Sequence, residues 1–343
     1  MYEIDFLAVE NEDGDSTKSG DAIAMHFDER VVVIDGGFSS IGDNLADHIN
    51  TYYGSTHVDL LISTHPDTDH LNGLIKVLER CTVGELMMHL PWLHNSRANV
   101  IGNYEKIVEI YNLAISKGVT VTEPFTGESR FADQISILGP TKVYYEELLS
   151  EAVTEASAGK ESLRASAGGF GTLLLSKATR VLERVVSFFP AETLNDLDET
   201  SPRNKMSVIT LLQVDGKRML FTGDAGIPSL EAAADWYEAT VGAFSLSPLS
   251  LLQAPHHGSK RNVGPAILDR LLGAPGAHFS VVNAVVSSAK LSEKHPSPKV
   301  TNALGRRGAN VNVTEGSTIA FTSGQRTGWA PKPTVGPLEE SDD

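Results

Sequence analysis

A single cysteine, Cys81, stands in 343 residues, so an internal disulfide is excluded. Its place after the helical stretch "LIKVLER" makes it a buried structural thiol rather than a nucleophile. Long apolar runs are missing too: none reaches the roughly 18 residues that a membrane span needs. The opening "MYEIDFLAVENEDGD" has neither the basic nor the apolar stretch of a signal peptide, and the expected location is the cytoplasm. Positive charge is scarce, with 28 Lys and Arg against 44 Asp and Glu and a formal net charge of -16. That balance argues against a broad basic groove for nucleic acid, although bound divalent cations could reverse the sign locally. What is plentiful is apolar surface. A hydrophobic fraction of 41% supplies a sizeable core for one large domain with insertions or two modest ones.

Short β-branched runs recur at 30–37, 58–64, 135–140, 207–214, 218–224, 250–257 and 279–286, and these read as strands. Helical periodicity lies between several of them, at Leu71, Leu74, Ile75 and Leu78, near 104–116 and near 298–306. The class is therefore α/β or α+β. "VDGKR" at 214–218 predicts a hairpin, so part of the sheet is antiparallel. The span 141–203 differs in character: two helical stretches flank a small-residue interval, and an acidic link follows. It reads as an insertion on the core, with a lid, a contact to a protein partner or a second copy, and a surface helical pair without a chemical role as its open readings. Residues 326–343, rich in Pro, Gly and acid, read as a mobile tail on a single domain of residues 1–325.

The chemistry concentrates in "STHPDTDHLNGL" at 63–74. His65, Asp67, Asp69 and His70 crowd into six positions directly after an apolar strand. Without a cation such side chains repel or stay unpaired, whereas carboxylate and neutral imidazole together suit a first-row divalent metal. The bland alternative is that Asp69 caps the following helix while the others are solvated. Two later stretches weaken it by repeating the pattern of an apolar strand followed by a ligand-type residue: "RMLFTGDAG" delivers Asp224, and "SLLQAPHHGSK" delivers His256 and His257.

These motifs together resemble the metallo-β-lactamase superfamily, whose signature H-x-H-x-D-H precedes a distant Asp at a strand end and a late His. More narrowly, "THPDTDH", "LFTGDAG" and "PHHGSK" resemble the ComEC-like branch, with "GDAI", "IDGG", "ISILGP", "NKMS" and "KHPSPKV" continuing the match in order over roughly residues 3–322 outside the insertion. The resemblance implies an αββα sandwich with a helical insertion and two divalent metal ions. It implies that His65 and Asp67 hold one metal, Asp69 and His70 the other, that Asp224 bridges them, and that His257 is the late ligand. His256 is either that ligand itself or a group orienting the site. Asp67 departs from the usual second His; a carboxylate there makes the site harder and brings manganese or iron beside zinc. The usual third His has no convincing match, and His89 and His94, which lie too early, read as structural. His26, His48, His57 and His278 show no ligand spacing. Asp35, Gly36 and Gly37 read as a tight turn in which Asp35 braces the metal loop.

A pair of such cations acidifies water and stabilises charge on the attacked oxygen, and this implies a hydrolase with Asp69, Asp224 and His295 in catalytic roles. Asn204, His256, Ser259, Lys260 and His295 are the candidate substrate contacts, with a turn-forming role as the alternative for Asn204, a solvated surface role for Ser259 and Lys260, and packing between two prolines for His295. The expected substrate is a phosphodiester, with DNA or RNA foremost by family analogy, and no membrane is expected among the partners. Competing readings are a cyclic nucleotide, a phosphocholine ester, a lactone or a thioester as substrate, redox di-iron chemistry, and a binding or scaffolding module. No flavin-binding block is present to support the redox reading, and the full set of ligand types weighs against a module.

Overall fold

The computed structural model describes all residues except 14–15, 160–185, 198, 291, 293 and 341–343. The second helical stretch of the expected insertion therefore lies mostly outside the described residues.

Among the described residues the long strands form two seven-stranded sheets. The first runs in the order Ile319–Thr322, Tyr2–Phe6, Ala22–Phe27, Arg30–Gly36, His57–Ile62, Thr82–Met87, Thr120–Thr122. The second runs Asn310–Val313, Asn283–Val286, Leu251–Gln253, Lys217–Phe221, Ile209–Val214, Ile135–Gly139, Ser129–Arg130. The predicted hairpin is present, with Val214 paired to Lys217 across Asp215 and Gly216, both at positive φ as a two-residue turn requires.

Strand alternation builds the layers. In "RVVVIDG" Val32 and Ile34 point to the space between the sheets, and Val31 and Val33 point to the helices outside. Phe6 and Phe221 stack between the sheets with ring centroids 6.0 Å apart. Helices Ser39–His48, Leu74–Arg80 and Tyr104–Ser116 cover the first sheet, and Ile227–Thr240, Pro265–Leu272 and Pro298–Arg306 cover the second. This is the αββα sandwich, with apolar burial on both faces of each sheet as its main source of stability.

Helix Lys142–Ser157, at the start of the 141–203 span, is capped by the Thr141 hydroxyl accepting from the Tyr144 N–H. It sinks Tyr145, Leu148, Leu149, Ala152 and Val153 into the core over the first sheet. Farther on, Glu192 pairs with the fully buried Arg307 guanidinium at 2.7 Å, on the opposite layer. The C-terminal stretch also touches the core. Arg326 forks onto Asp5 at 2.8 and 3.0 Å, and Leu338 exchanges two hydrogen bonds with Asn302. No described helix is long and apolar enough to cross a membrane.

Candidate metal centre

Lys217–Phe221 and Leu251–Gln253 pair in parallel and end together in the second sheet, and His57–Ile62 of the first sheet ends at the same edge, where the Val208 N–H donates to the Thr64 carbonyl at 3.1 Å. Side chains following all three strands meet there. The leading loop turns at once into the short helix Thr68–Leu71, whose N-cap is Asp67, yet Asp67 makes no side-chain capping bond. Its carboxylate is thus left for the cluster. Gly73 lets that loop press on the turn after Arg30–Gly36, since a Cβ at Gly73 would lie 1.9 Å from the Gly36 carbonyl oxygen.

Asp224, 2% exposed, lies at the centre. Its Oδ2 faces His65 Nε2 at 3.6 Å and His256 Nε2 at 3.5 Å. Its Oδ1 faces His70 Nε2 at 3.3 Å and His257 Nε2 at 4.0 Å. Asp67 Oδ2 lies 4.0 Å from His65 Nε2, and Asp69 Oδ2 lies 3.5 Å from His257 Nε2 and 4.0 Å from His70 Nε2. The residues thereby sort into two groups on the two edges of one carboxylate: His65, Asp67 and His256 on one side, Asp69, His70 and His257 on the other.

Hydrogen bonds behind the imidazoles fix which nitrogen faces inward. Asp35 accepts from the Thr64 backbone N–H at 2.8 Å, from the Thr64 hydroxyl at 2.6 Å and from His70 Nδ1 at 2.7 Å. Because the Thr64 hydroxyl donates to Asp35, it accepts from His65 Nδ1 at 3.0 Å. Asn262 donates its amide to the carbonyls of Asp224 and Ala225, so its Oδ1 is left to accept from His256 Nδ1 at 3.1 Å. With Nδ1 donating in each case, Nε2 of His65, His70 and His256 is the nitrogen turned toward Asp224, the one a metal ligand would use. Nε2 of His65, His70 and His257 and Oδ1 of Asp224 are buried without a hydrogen-bond partner. Orphaned donors and acceptors of this kind fit a divalent cation. One ligand atom from each of Asp21, His70, Asp224 and His257 also lies within 4.8 Å of the others.

The late histidines reach their places through an unusual backbone. His256 (φ 49°, ψ 51°) and His257 (φ 56°, ψ 29°) are both left-handed, followed by Gly258 at φ 77°. Two successive non-glycine residues in that region cost on the order of 1–3 kcal/mol each. The turn sends adjacent side chains to opposite edges of Asp224.

Electrostatics follows the geometry. Burial alone would raise the Asp224 carboxyl, but the imidazoles of His256, His70, His65 and His257 outweigh it and hold the group well below the usual carboxylate range. Asp69 is likewise held at about 2 despite burial, by the neighbouring imidazoles of His257 and His70. Burial would lower His257, yet Asp224, Asp69 and Asp21 push it up to about 9, and Asp224 and Asp35 raise His70 well above its ordinary value. Protons on His70 and His257 stand where cations would.

The remaining candidates divide. Asn204 is buried, with its amide donating to Asp224 Oδ2 at 3.3 Å, so it is engaged within the cluster. The Ser259 hydroxyl accepts from the Arg261 N–H in its own turn, and Lys260 is exposed just beyond. The His295 ring lies over the late pair, with centroids 5.5 Å from His256 and 6.1 Å from His257. His89 stacks on Tyr145, and His94 bridges Glu123 and Glu146 at 2.9 Å each; neither joins the cluster. Cys81 is free and buried.

Three residues had escaped the sequence reading. Asp21, within "GDAI", is buried with Oδ2 3.8 Å from Nδ1 of both His70 and His257. Asn262 and Arg203 join from segments with no ligand-type spacing. Among the supports, Asp35 carries most. Asp35→Ala would strand the His70 Nδ1–H and both Thr64 donors in the interior, and we expect it to cost about 3–5 kcal/mol of stability, read as a lower denaturant midpoint at unchanged slope.

The family model for the metallo-beta-lactamase superfamily matches residues 18–141, which include the leading motif but neither Asp224 nor the late histidines. That match supports the superfamily, and the two sheets flanked by helices are consistent with the metallo-β-lactamase fold. Solved structures similar to the chain include YhfI, a metallo-beta-lactamase fold protein from Bacillus subtilis, at 9% identity and TM-score 0.45 over 94% of this chain and 100% of that one. A diphosphatase of the PhnP family matches at 10% identity and TM-score 0.41, over 94% and 98%. CmlA, a diiron beta-hydroxylase from Streptomyces venezuelae, matches at 11% identity and TM-score 0.39, over 91% of this chain and 44% of that one. No curated protein matches the sequence.

Proposed function

We propose that the protein is a hydrolase of the ComEC-like branch that uses two divalent cations, zinc or manganese, to cleave phosphodiesters, with nucleic acid as the first substrate class. The observation that carries this reading is the division of ligand-type atoms between the two oxygens of Asp224. On this reading His65, Asp67 and His256 hold the first cation, Asp69, His70 and His257 the second, and Asp224 bridges. His256 thereby fills the place for which the sequence offered no third His. Bound cations would supply Lewis-acid activation of water and neutralisation of phosphoryl charge.

The chain's own groups do the rest. Asp69, ionised far below neutral pH, can orient a nucleophilic water through whichever oxygen is not ligating. His295 is kept neutral, pushed down to about 3 by burial and by His257 and His256, and its Nδ1 is buried without a partner. A neutral imidazole over the cluster can donate one hydrogen bond to a phosphoryl or leaving-group oxygen. Lys260, at the exposed end of the same turn, supplies a point charge for the phosphate backbone.

The test is to purify the protein without chelator, measure its metals, and assay it with manganese, zinc and magnesium on single-stranded DNA, double-stranded DNA, RNA and a generic phosphodiester. Turnover of a phosphodiester that chelation abolishes supports the reading. Hydrolysis of lactones or thioesters alone would transfer the assignment to carbonyl substrates. His295→Ala should lower phosphodiester turnover by about 10²-fold while metal content stays at the wild-type value.

A further inference from the structure

Asp67 puts a third carboxylate, beside Asp69 and Asp224, around a centre whose other ligands are neutral imidazoles. Two divalent cations in that shell leave only one net positive charge, a poor match for an anionic substrate, and Asp67 has an oxygen to spare. The structure shows where that oxygen goes. Asp67 Oδ2 is directed at the His65 edge, 4.0 Å from Nε2, while Oδ1, buried and without a hydrogen-bond partner, is ion-paired at 3.4 Å with Nη2 of Arg203. Both side chains are about a quarter exposed, at 23% and 24%, so the pair sits at the mouth of the cluster rather than in the core.

Each partner is held from behind. The backbone before Asp67 is tied by the Asn103 amide donating to the Pro66 carbonyl at 2.6 Å. Arg203 rides on the short helix Pro202–Lys205, which is N-capped by the Ser201 hydroxyl and carries Asn204, itself bonded to Asp224. The guanidinium is thus delivered by the same turn that braces the bridging carboxylate.

We propose that Arg203 is a positioning residue for the first cation site: it occupies Asp67 Oδ1, directs Oδ2 alone to the cation and offsets the added negative charge. This rests on the dinuclear reading above. Arg203 acts through Asp67, so its removal loosens one cation and not the other, and charge at position 203 governs the effect.

The experiment compares wild type with Arg203→Lys, Arg203→Ala and Arg203→Glu. Each protein is loaded with Mn²⁺, freed of excess metal and titrated with a chelator, retained metal being counted per chain; melting of the metal-free proteins controls for folding. Wild type is expected to hold two equivalents. Arg203→Ala should release one of them at about 10–100-fold lower chelator, the range for lost support of a ligand. Arg203→Lys should fall between wild type and Ala, and Arg203→Glu should be the weakest because it repels Asp67. Retention unchanged in Arg203→Ala, or both equivalents lost together without order by charge, overturns the inference while leaving the dinuclear reading intact. A wild type holding fewer than two equivalents overturns that reading and the inference with it.

Discussion

Asp224→Ala should reduce phosphodiester turnover by about 10³-fold or more and cost the protein both metal equivalents. The size follows from what one side chain serves. Four imidazole Nε2 atoms lie within 3.3–4.0 Å of its two oxygens, two on each. Stabilisation of transition-state charge by a bound cation amounts to several kcal/mol, and about 1.4 kcal/mol is tenfold in rate. The variant should still fold. Its cavity is small, and the surrounding hydrogen bonds through Asp35 and Asn262 do not involve the lost oxygens. The assay is turnover and metal content side by side, with circular dichroism for folding. A variant that keeps both metals shows that Asp224 does not bridge.

Metal uptake should tighten steeply with pH. His257 holds its proton up to about pH 9, and His70 is raised well above its ordinary value, because each faces buried carboxylates that outweigh the cost of burying a charge. A cation must displace those protons. Below pH 9 each displaced proton makes apparent affinity rise about tenfold per pH unit, so His257 alone gives about 100-fold between pH 7 and pH 9, and His70 adds to it. Stability of the metal-free protein runs the other way. The folded pKa of His257 lies above its unfolded value, so its contribution is fully present below about pH 6.5 and is lost as pH rises through about 9. Chelator competition at several pH values, with thermal melting of the metal-free protein, reads both. Affinity flat from pH 7 to pH 9 would show that cation binding displaces no proton from His257 or His70 in that range.

Legibility in the sequence followed the range of the interactions. The leading motif was readable because four ligand-type residues fall within six positions behind a strand, and Asp224 and the late histidine pair because each follows its own apolar strand. The α/β class was readable from strand and helix periodicity, and the αββα layering from the family resemblance. The supports were not readable. Asp21 looks like a turn residue before a strand, and only the folding of residues 20–21 onto the Asp69 carbonyl, with the Asp21 N–H donating to it at 3.1 Å, brings it behind two imidazoles. Arg203 and Asn262 meet the cluster from loops whose sequence carries no spacing signal. The side taken by His256 depends on two left-handed residues in succession, a backbone choice that composition does not announce. Asn204 was marked by its place before a strand, but its engagement with Asp224 required the fold.

The most direct measurement is a crystal structure of the protein loaded with Mn²⁺ or Zn²⁺, with anomalous diffraction to locate the ions. Two anomalous peaks flanking Asp224, one among His65, Asp67 and His256 and the other among Asp69, His70 and His257, are the predicted result. A loaded crystal with no peak beside Asp224, or with ions bound only elsewhere on the surface, would contradict it.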